Sequence, residues 1–377
     1  MKPRANAGKK PNQLPACAVL LAGGRGTRFW PRSRTRTPKQ LLNIVGDQTM
    51  LRETLARLSP LFPPRNVWVV TNTQQSSAVR RELRKVPASH VLAEPAGRNT
   101  AAAIGLAAVH LVHEHGDALM VVQPSDSYIA DAAGYRRLVR AALDLARTPG
   151  NLVVLGIPPS RPETGYGYIE RGGVAARPRG VAAYAVRRFT EKPALPLAKK
   201  YASSGKYLWN AGMFFWRAST FLDNLKHFLP ATHEALQELA KSIGTPRCAS
   251  ALRRIYPQLE NISVDYAVME PATRAKGKQR VFVIPAKVGW SDIGSWAAVH
   301  ELLAAKLGAN VSAGASFTHD AHGNYFWSPK KFVAAIGVHN LILVETDDAL
   351  LLCSRDRSQD VGKIVKWLEE KGIHRLL

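Results

Sequence analysis

The chain has 377 residues, 46% of them hydrophobic and 21% charged, with a formal net charge of +24. That length can bury one large core, or one large domain with a small companion, and no apolar run approaches the ~20 residues a bilayer-spanning helix needs. Cys17, Cys248 and Cys353 lie far apart in unrelated contexts, so neither a disulfide framework nor a metal knuckle is expected, and the cytoplasm is the default compartment.

Residues 1–15 carry Lys2, Arg4, Lys9 and Lys10 without a following apolar stretch, and read as a disordered basic tail rather than a signal peptide. A strongly basic chain invites a nucleic-acid reading. Here the excess is scattered over residues 25–39, 80–85, 177–188 and 274–280. No zinc finger, helix-turn-helix or RNA-binding aromatic motif accompanies it, so no specific nucleic-acid partner is expected.

Residues 16–22 form a short apolar run ending at glycine, a buried first strand. Residues 51–58 have helical spacing, and 67–71 read as a second strand. Residues 100–115 are alanine-rich and periodic, a helix. His110, His113 and His115 fall toward its carboxyl end, where cationic groups are favoured, and are not read as a metal cluster. Residues 118–122 are a third strand that runs into Gln123-Pro124-Ser125-Asp126. A helix over 135–147 and a strand over 152–157 follow. This alternation implies an α/β, Rossmann-like, mostly parallel sheet with helices on both faces. Ligands gather at the carboxyl ends of such strands, so Gly23 and Asp126 are expected to face one crevice.

Residues 163–216 break the rhythm with strand-like pieces rich in aromatics and glycine, read as a cap lining a polyol. Residues 221–240 look helical, and 289–296 close the main domain, placed at 16–303. After that the composition shifts. Strands at 332–338, 341–345 and 349–353 are joined by turns at His339-Asn340 and Asp347-Asp348. A helix over 360–371 stops at Gly372. Residues 304–377 read as a small β-rich unit whose apolar face suits a homodimer contact.

The densest chemical signal is Leu20-Leu21-Ala22-Gly23-Gly24-Arg25-Gly26-Thr27-Arg28, followed by Pro38-Lys39-Gln40. Closely spaced glycines let bare amides approach a phosphate, and Arg28 and Lys39 bring mobile charge to the same anion. A Walker A loop would end in Gly-Lys-Ser/Thr, and a dinucleotide fingerprint needs glycine where Phe29 stands. The segment therefore reads as a different kind of nucleoside triphosphate loop.

Further segments join it. They are Glu94-Pro95-Ala96-Gly97-Arg98-Asn99-Thr100, Pro124-Ser125-Asp126, Glu163-Thr164-Gly165-Tyr166-Gly167-Tyr168-Ile169 and Phe189-Thr190-Glu191-Lys192-Pro193. Then come Trp209-Asn210-Ala211-Gly212, Ser263-Val264-Asp265-Tyr266-Ala267-Val268-Met269-Glu270 and Trp290-Ser291-Asp292-Ile293-Gly294. In this order the set resembles the bacterial mannose-1-phosphate guanylyltransferases, a branch of the sugar-nucleotide pyrophosphorylases. The resemblance covers residues 17–357.

The resemblance implies transfer of GMP from GTP to mannose 1-phosphate, with pyrophosphate released and Mg²⁺ or a similar divalent ion assisting. It implies Asp126 and Asp292 as metal ligands, and Arg28, Lys39 and Lys192 as catalytic cations. Leu21, Ala22, Gly23, Gly24, Gly26, Thr27 and Ser125 would meet the nucleotide, with Glu94 and Asn99 on its base or ribose. Gly165, Glu191 and Asn210 would meet the sugar. Ser127 departs from the histidine many relatives carry after the first aspartate. A fused isomerase domain is not expected, so a monofunctional transferase is. Left open are a different base or sugar, a non-catalytic sugar-nucleotide sensor, and, from the charge, nucleic-acid binding.

Overall fold

A computed structural model describes residues 14–275 and 280–377. The expected basic tail lies outside them over residues 1–13, as do Lys276 and Lys278 of the last basic cluster. Strands β1 (Ala16–Leu21), β2 (Val67–Asn72), β3 (Val91–Glu94) and β4 (Leu119–Pro124) lie side by side as β3-β2-β1-β4, all parallel. Helices Met50–Leu58, Thr73–Glu82 and Asn99–His115 connect or follow them. Each strand is buried on both faces, which is why its residues read as an unbroken apolar run.

After a two-residue strand β5 (Tyr128–Ile129), the sheet gains β6 (Asn151–Ile157), β7 (Tyr168–Ala176), β8 (Ala183–Thr190), β9 (Tyr207–Arg217) and β10 (Arg280–Pro285). Its full order is β3-β2-β1-β4-β9-β6-β10-β8-β7. β9 runs antiparallel between β4 and β6. The aromatic middle of the chain, expected as strand-like pieces of a cap lining a polyol, supplies strands of the main sheet. Tyr168, Ile169, Phe189 and Phe215 are buried in its two cores, and that burial draws these strands inward. Alternate residues feed opposite faces: Val19, Met120 and Val154 pack on one side, Leu20, Val121 and Val153 on the other.

The stretch expected as one helix over 221–240 is two, Ala218–Phe228 and Pro230–Ala240, broken at Leu229 (φ −142°, ψ 58°). Pro230 has no N–H and pushes the residue before it out of the helical region. His110 is not a helix-end cation. Burial, and then His113 and His90, pull its pKa down to about 4, so it is neutral near pH 7.

A two-residue strand β11 (Trp290–Ser291) pairs with β5 and brings the segment of Asp292 beside that of Asp126. Beyond it come β12 (Val311–Ala313), β13 (Ser316–His319), β14 (Tyr325–Trp327), β15 (Val333–Ile336), β16 (Leu341–Glu345) and β17 (Leu350–Ser354). β12, β14 and β16 stack in parallel, as do β13 and β15. Successive strands alternate between two small sheets, so the chain winds as a coil. Only β16 and β17 form a hairpin, at Asp347-Asp348. A 3₁₀ stretch over Arg355–Val361 leads into the last helix, Gly362–Glu370. This unit has no core of its own. Ile342, Val344, Val365 and Leu368 share one cluster with Phe29, Trp30, Met50 and Trp296.

Candidate active site

The glycine loop leaves β1 at the carboxyl edge of the parallel strands and is pinned from beneath. Gln40 Nε2 donates to the Ala22 and Gly24 carbonyls (2.7 and 3.2 Å), Thr71 Oγ1 to Ala22 (2.9 Å) and Ser33 Oγ to Gly26 (2.7 Å). Gly26 sits at φ 62°, and a Cβ there would stand 2.4 Å from Lys39 Cβ and 2.9 Å from the Lys39 amide nitrogen. The third glycine is therefore required twice over, by conformation and by the close approach of Lys39. Ser125 donates to the Leu21 carbonyl (2.9 Å), tying the ends of β1 and β4 together.

The Lys39 side chain is 7% exposed. Its Nζ donates to Asp126 Oδ2 (3.0 Å), the Asp126 carbonyl (3.1 Å) and the Asp292 carbonyl (2.6 Å). Residues 87 and 253 positions away are thus gathered on one ammonium. Tyr166 donates to Asp292 Oδ1 (2.6 Å), and burial followed by the Asp292 charge raises its pKa well beyond the ordinary phenol range. Ile293, fully buried between Asp292 and Gly294, has φ 43°. A β-branched residue in that region is strained, and the shared core beneath it holds it there.

Arg28, Lys39, Asp126, Gly165, Asn210 and Asp292 line one cleft of about 1030 Å³. Ser127, which lines it too, gives its carbonyl to Arg57 Nη2 (3.2 Å). The far wall comes from the coiled unit: Asn340, Arg355, Asp356, Ser358 and Gln359. Gln359 Oε1 accepts from Arg28 Nη1 (2.6 Å), and Glu369 pairs with Arg25. No local pattern marked these wall residues, because only packing brings them here.

Glu191 and Lys192 are not among the lining residues, but Glu191 and the lining residue Asn210 both crowd Gly167. Glu191 is half-buried with its Oε1 3.4 Å from Lys192 Nζ, its Oε2 has no hydrogen-bond partner among the described residues, and Lys192 itself is largely exposed. Burial, and then the Asp265 charge, push the Glu191 carboxyl up to about 7. A Cβ on Gly167 would stand 2.4 Å from Glu191 Oε2, so glycine there gives that oxygen room. Asn210 Nδ2 donates to half-buried Asp265 (2.8 Å), and its Oδ1 accepts from Gly212 (2.9 Å). Gly165 donates to Glu163 Oε1 (3.0 Å). Asp265 and Tyr166 lay inside quoted motifs, yet their roles as braces appear only in three dimensions.

Glu94, at the end of β3, forms a separate corner with the loop. A Cβ on Gly23 would meet its Oε2 at 3.1 Å, and Tyr256 donates to its Oε1 (2.5 Å). Burial raises Glu94 to about 7 against the lowering effect of that hydrogen bond. Asn99 opens the following helix at φ 59° with Oδ1 accepting from Thr100 (2.9 Å). Leu21 ends β1, Ala22 and Gly24 belong to the loop after it, and Thr27 and Arg28 begin a 3₁₀ turn.

A parallel-strand edge carrying a glycine loop, a buried lysine and two aspartates in one cleft has the make-up of a nucleotide-transferring protein. A match to the family "Nucleotidyl transferase" covers residues 17–307, and one to "MannoseP isomerase/GMP-like beta-helix domain" covers 317–368. The chain belongs to the mannose-1-phosphate guanylyltransferase family of nucleotidyl transferases. It is 40% identical over 368 residues to mannose-1-phosphate guanylyltransferase RfbM of Salmonella typhimurium, covering 93% of this chain and 72% of that one. It is 39% identical to the mannose-1-phosphate guanylyltransferase of Escherichia coli K12, with 94% and 74% covered. A crystal structure titled mannose-1-phosphate geranyltransferase, from Thermus thermophilus, superposes with a TM-score of 0.84 at 33% identity, covering 94% of this chain and 99% of that one.

Proposed function

We propose that this chain joins GTP and mannose 1-phosphate to give GDP-mannose and pyrophosphate. A phosphate oxygen of the sugar phosphate forms a bond to the α-phosphorus of GTP, and the bond from that phosphorus to the bridging oxygen of pyrophosphate breaks. The nucleophile is already ionised near neutral pH, so the protein's task is alignment and charge neutralisation rather than proton transfer. Lys39, fixed against the glycine loop, holds developing charge on the transferred group. Arg28, once it exchanges Gln359 for a phosphate, can grip the leaving pyrophosphate with its planar fork. Lys192 meets the sugar phosphate from the rim, and the open Glu191 Oε2 and Asn210 meet the hydroxyls. The Glu94 corner takes the base or ribose.

Mg²⁺ fits Asp126 and Asp292. Both offer hard oxygen donors, and two carboxylates suit an ion that keeps its remaining positions for water and phosphate oxygens. When bound, it adds charge neutralisation at the phosphates. Among the described residues, no helix is long and apolar enough to cross a membrane.

The observation that carries this reading is the single buried ammonium of Lys39 joining the glycine loop to both aspartate segments. The test is pyrophosphate release with Mg²⁺, GTP and mannose 1-phosphate, set beside ATP, UTP, dTTP and glucose 1-phosphate. Preference for the named pair, abolished by Asp292→Asn, supports the proposal. Turnover with another pair replaces the substrates, and no turnover from folded protein removes the enzyme reading.

A further inference from the structure

The coiled unit places a second set of metal-ligating side chains on its outer surface, apart from the two aspartates of the cleft. His322 and His339 occupy equivalent places on successive coils and are joined by a parallel β-bridge. Their rings stack with centroids 3.8 Å apart and planes 27° from parallel. Asp320 lies two residues before His322. Its backbone is left-handed (φ 45°), an unusual state for a residue other than glycine. One donor atom from each of these exposed side chains lies within 4.8 Å of the others. Among the described residues, none of the three side chains has a hydrogen-bond or ion-pair partner.

We propose that Asp320, His322 and His339 bind one divalent cation of the zinc class. Two imidazoles and a carboxylate are a donor set suited to borderline metals, unlike the all-oxygen donors suited to Mg²⁺. Zinc–nitrogen bonds of about 2.0–2.1 Å put tetrahedral ligands roughly 3.4 Å apart. Rotation of exposed side chains by an ångström or so therefore closes the set. The backbone beneath is already fixed. Asn324, fully buried, donates through Nδ2 to the Val338 carbonyl (2.9 Å) and accepts at Oδ1 from the Leu341 amide (2.8 Å). The Asn340 amide donates to the His322 carbonyl (3.0 Å). Both histidines thus project from a clamped pair of coils, and the ion would cross-link them.

The test titrates Co²⁺ into the intact chain under excess Mg²⁺ and follows visible absorption. The expected result is one saturable equivalent with weak ligand-field bands and no intense thiolate band. Binding should weaken at least tenfold in His322→Ala and in His339→Ala, weaken in Asp320→Asn, and persist in Asp292→Asn. Zn²⁺ should raise the melting temperature of the parent chain and not that of the histidine variants. Binding by a His322→Ala/His339→Ala double variant equal to the parent's, a thiolate band, or loss of binding in Asp292→Asn would overturn the proposal.

Discussion

Lys39→Met removes one charge and keeps most of the stem. In the free protein the ammonium serves three acceptors, two of them main-chain carbonyls. The Asp126 side chain is 37% exposed and can be rehydrated, so the loss of its partner costs little. The two carbonyls are less easily served, and roughly 1–3 kcal/mol of stability should go with them. The catalytic effect is larger. Removing one preorganised donor from developing charge costs about 2.7–4 kcal/mol, or about 10²–10³ in kcat. The assay is steady-state pyrophosphate release at saturating GTP and mannose 1-phosphate, with urea unfolding of the same preparation. A kcat within threefold of the parent's, from a protein of near-parent stability, would refute the placement of Lys39 at the reacting phosphates.

Gly26→Ala forces a Cβ into Lys39 at a left-handed position, and should lose at least ~1–3 kcal/mol in urea unfolding as well as activity. Glu94 and Glu191 are both raised to about 7 by burial, so between their ordinary value of 4.5 and about 7 the folded state holds protons the unfolded state has released. Stability should therefore fall as pH rises through that window, and Glu94→Gln/Glu191→Gln should flatten the curve; an unchanged slope would remove the burial argument. A chain truncated after residue 303 bares Phe29, Trp30 and Trp296 of the shared cluster, and should lose cooperative melting by near-UV circular dichroism. Leu350 and Leu352 are exposed on β17, which pairs only with β16 among the described strands. If a second copy covers that face, Leu350→Asp/Leu352→Asp should shift light-scattering mass from dimer to monomer.

β1, β2 and β4 were legible because strands buried on both faces announce themselves as apolar runs, whereas β3, only four residues long, was missed. That Asp126 and Asp292 would line one cleft was legible only through motif resemblance, since no spacing predicts proximity across the 166 positions between them. That β7, β8 and β9 continue the main sheet was not legible, because their aromatics are common to polyol sites and to sheet interiors alike. The wall formed by Arg355, Ser358 and Gln359 was invisible, because those residues are ordinary polar side chains whose meaning comes from the core under them. Strain hid as well: Asn99, Lys192 and Ile293 hold positive φ without being glycine, so the backbone at three site positions departs from what composition suggests.

The bond from Arg28 to Gln359 spans 331 positions, and that from Trp30 to the Leu376 carbonyl spans 346. At roughly 5–20 residues per second of synthesis, Gln359 follows Arg28 out of the ribosome by about 15–70 s. The glycine loop therefore waits through the synthesis of those 331 positions for the partner of Arg28. During that interval Arg28 stands without the wall that later closes on it, so under the proposed function a chain stalled before Gln359 should differ from the finished one in its handling of triphosphates before any difference in its sheet.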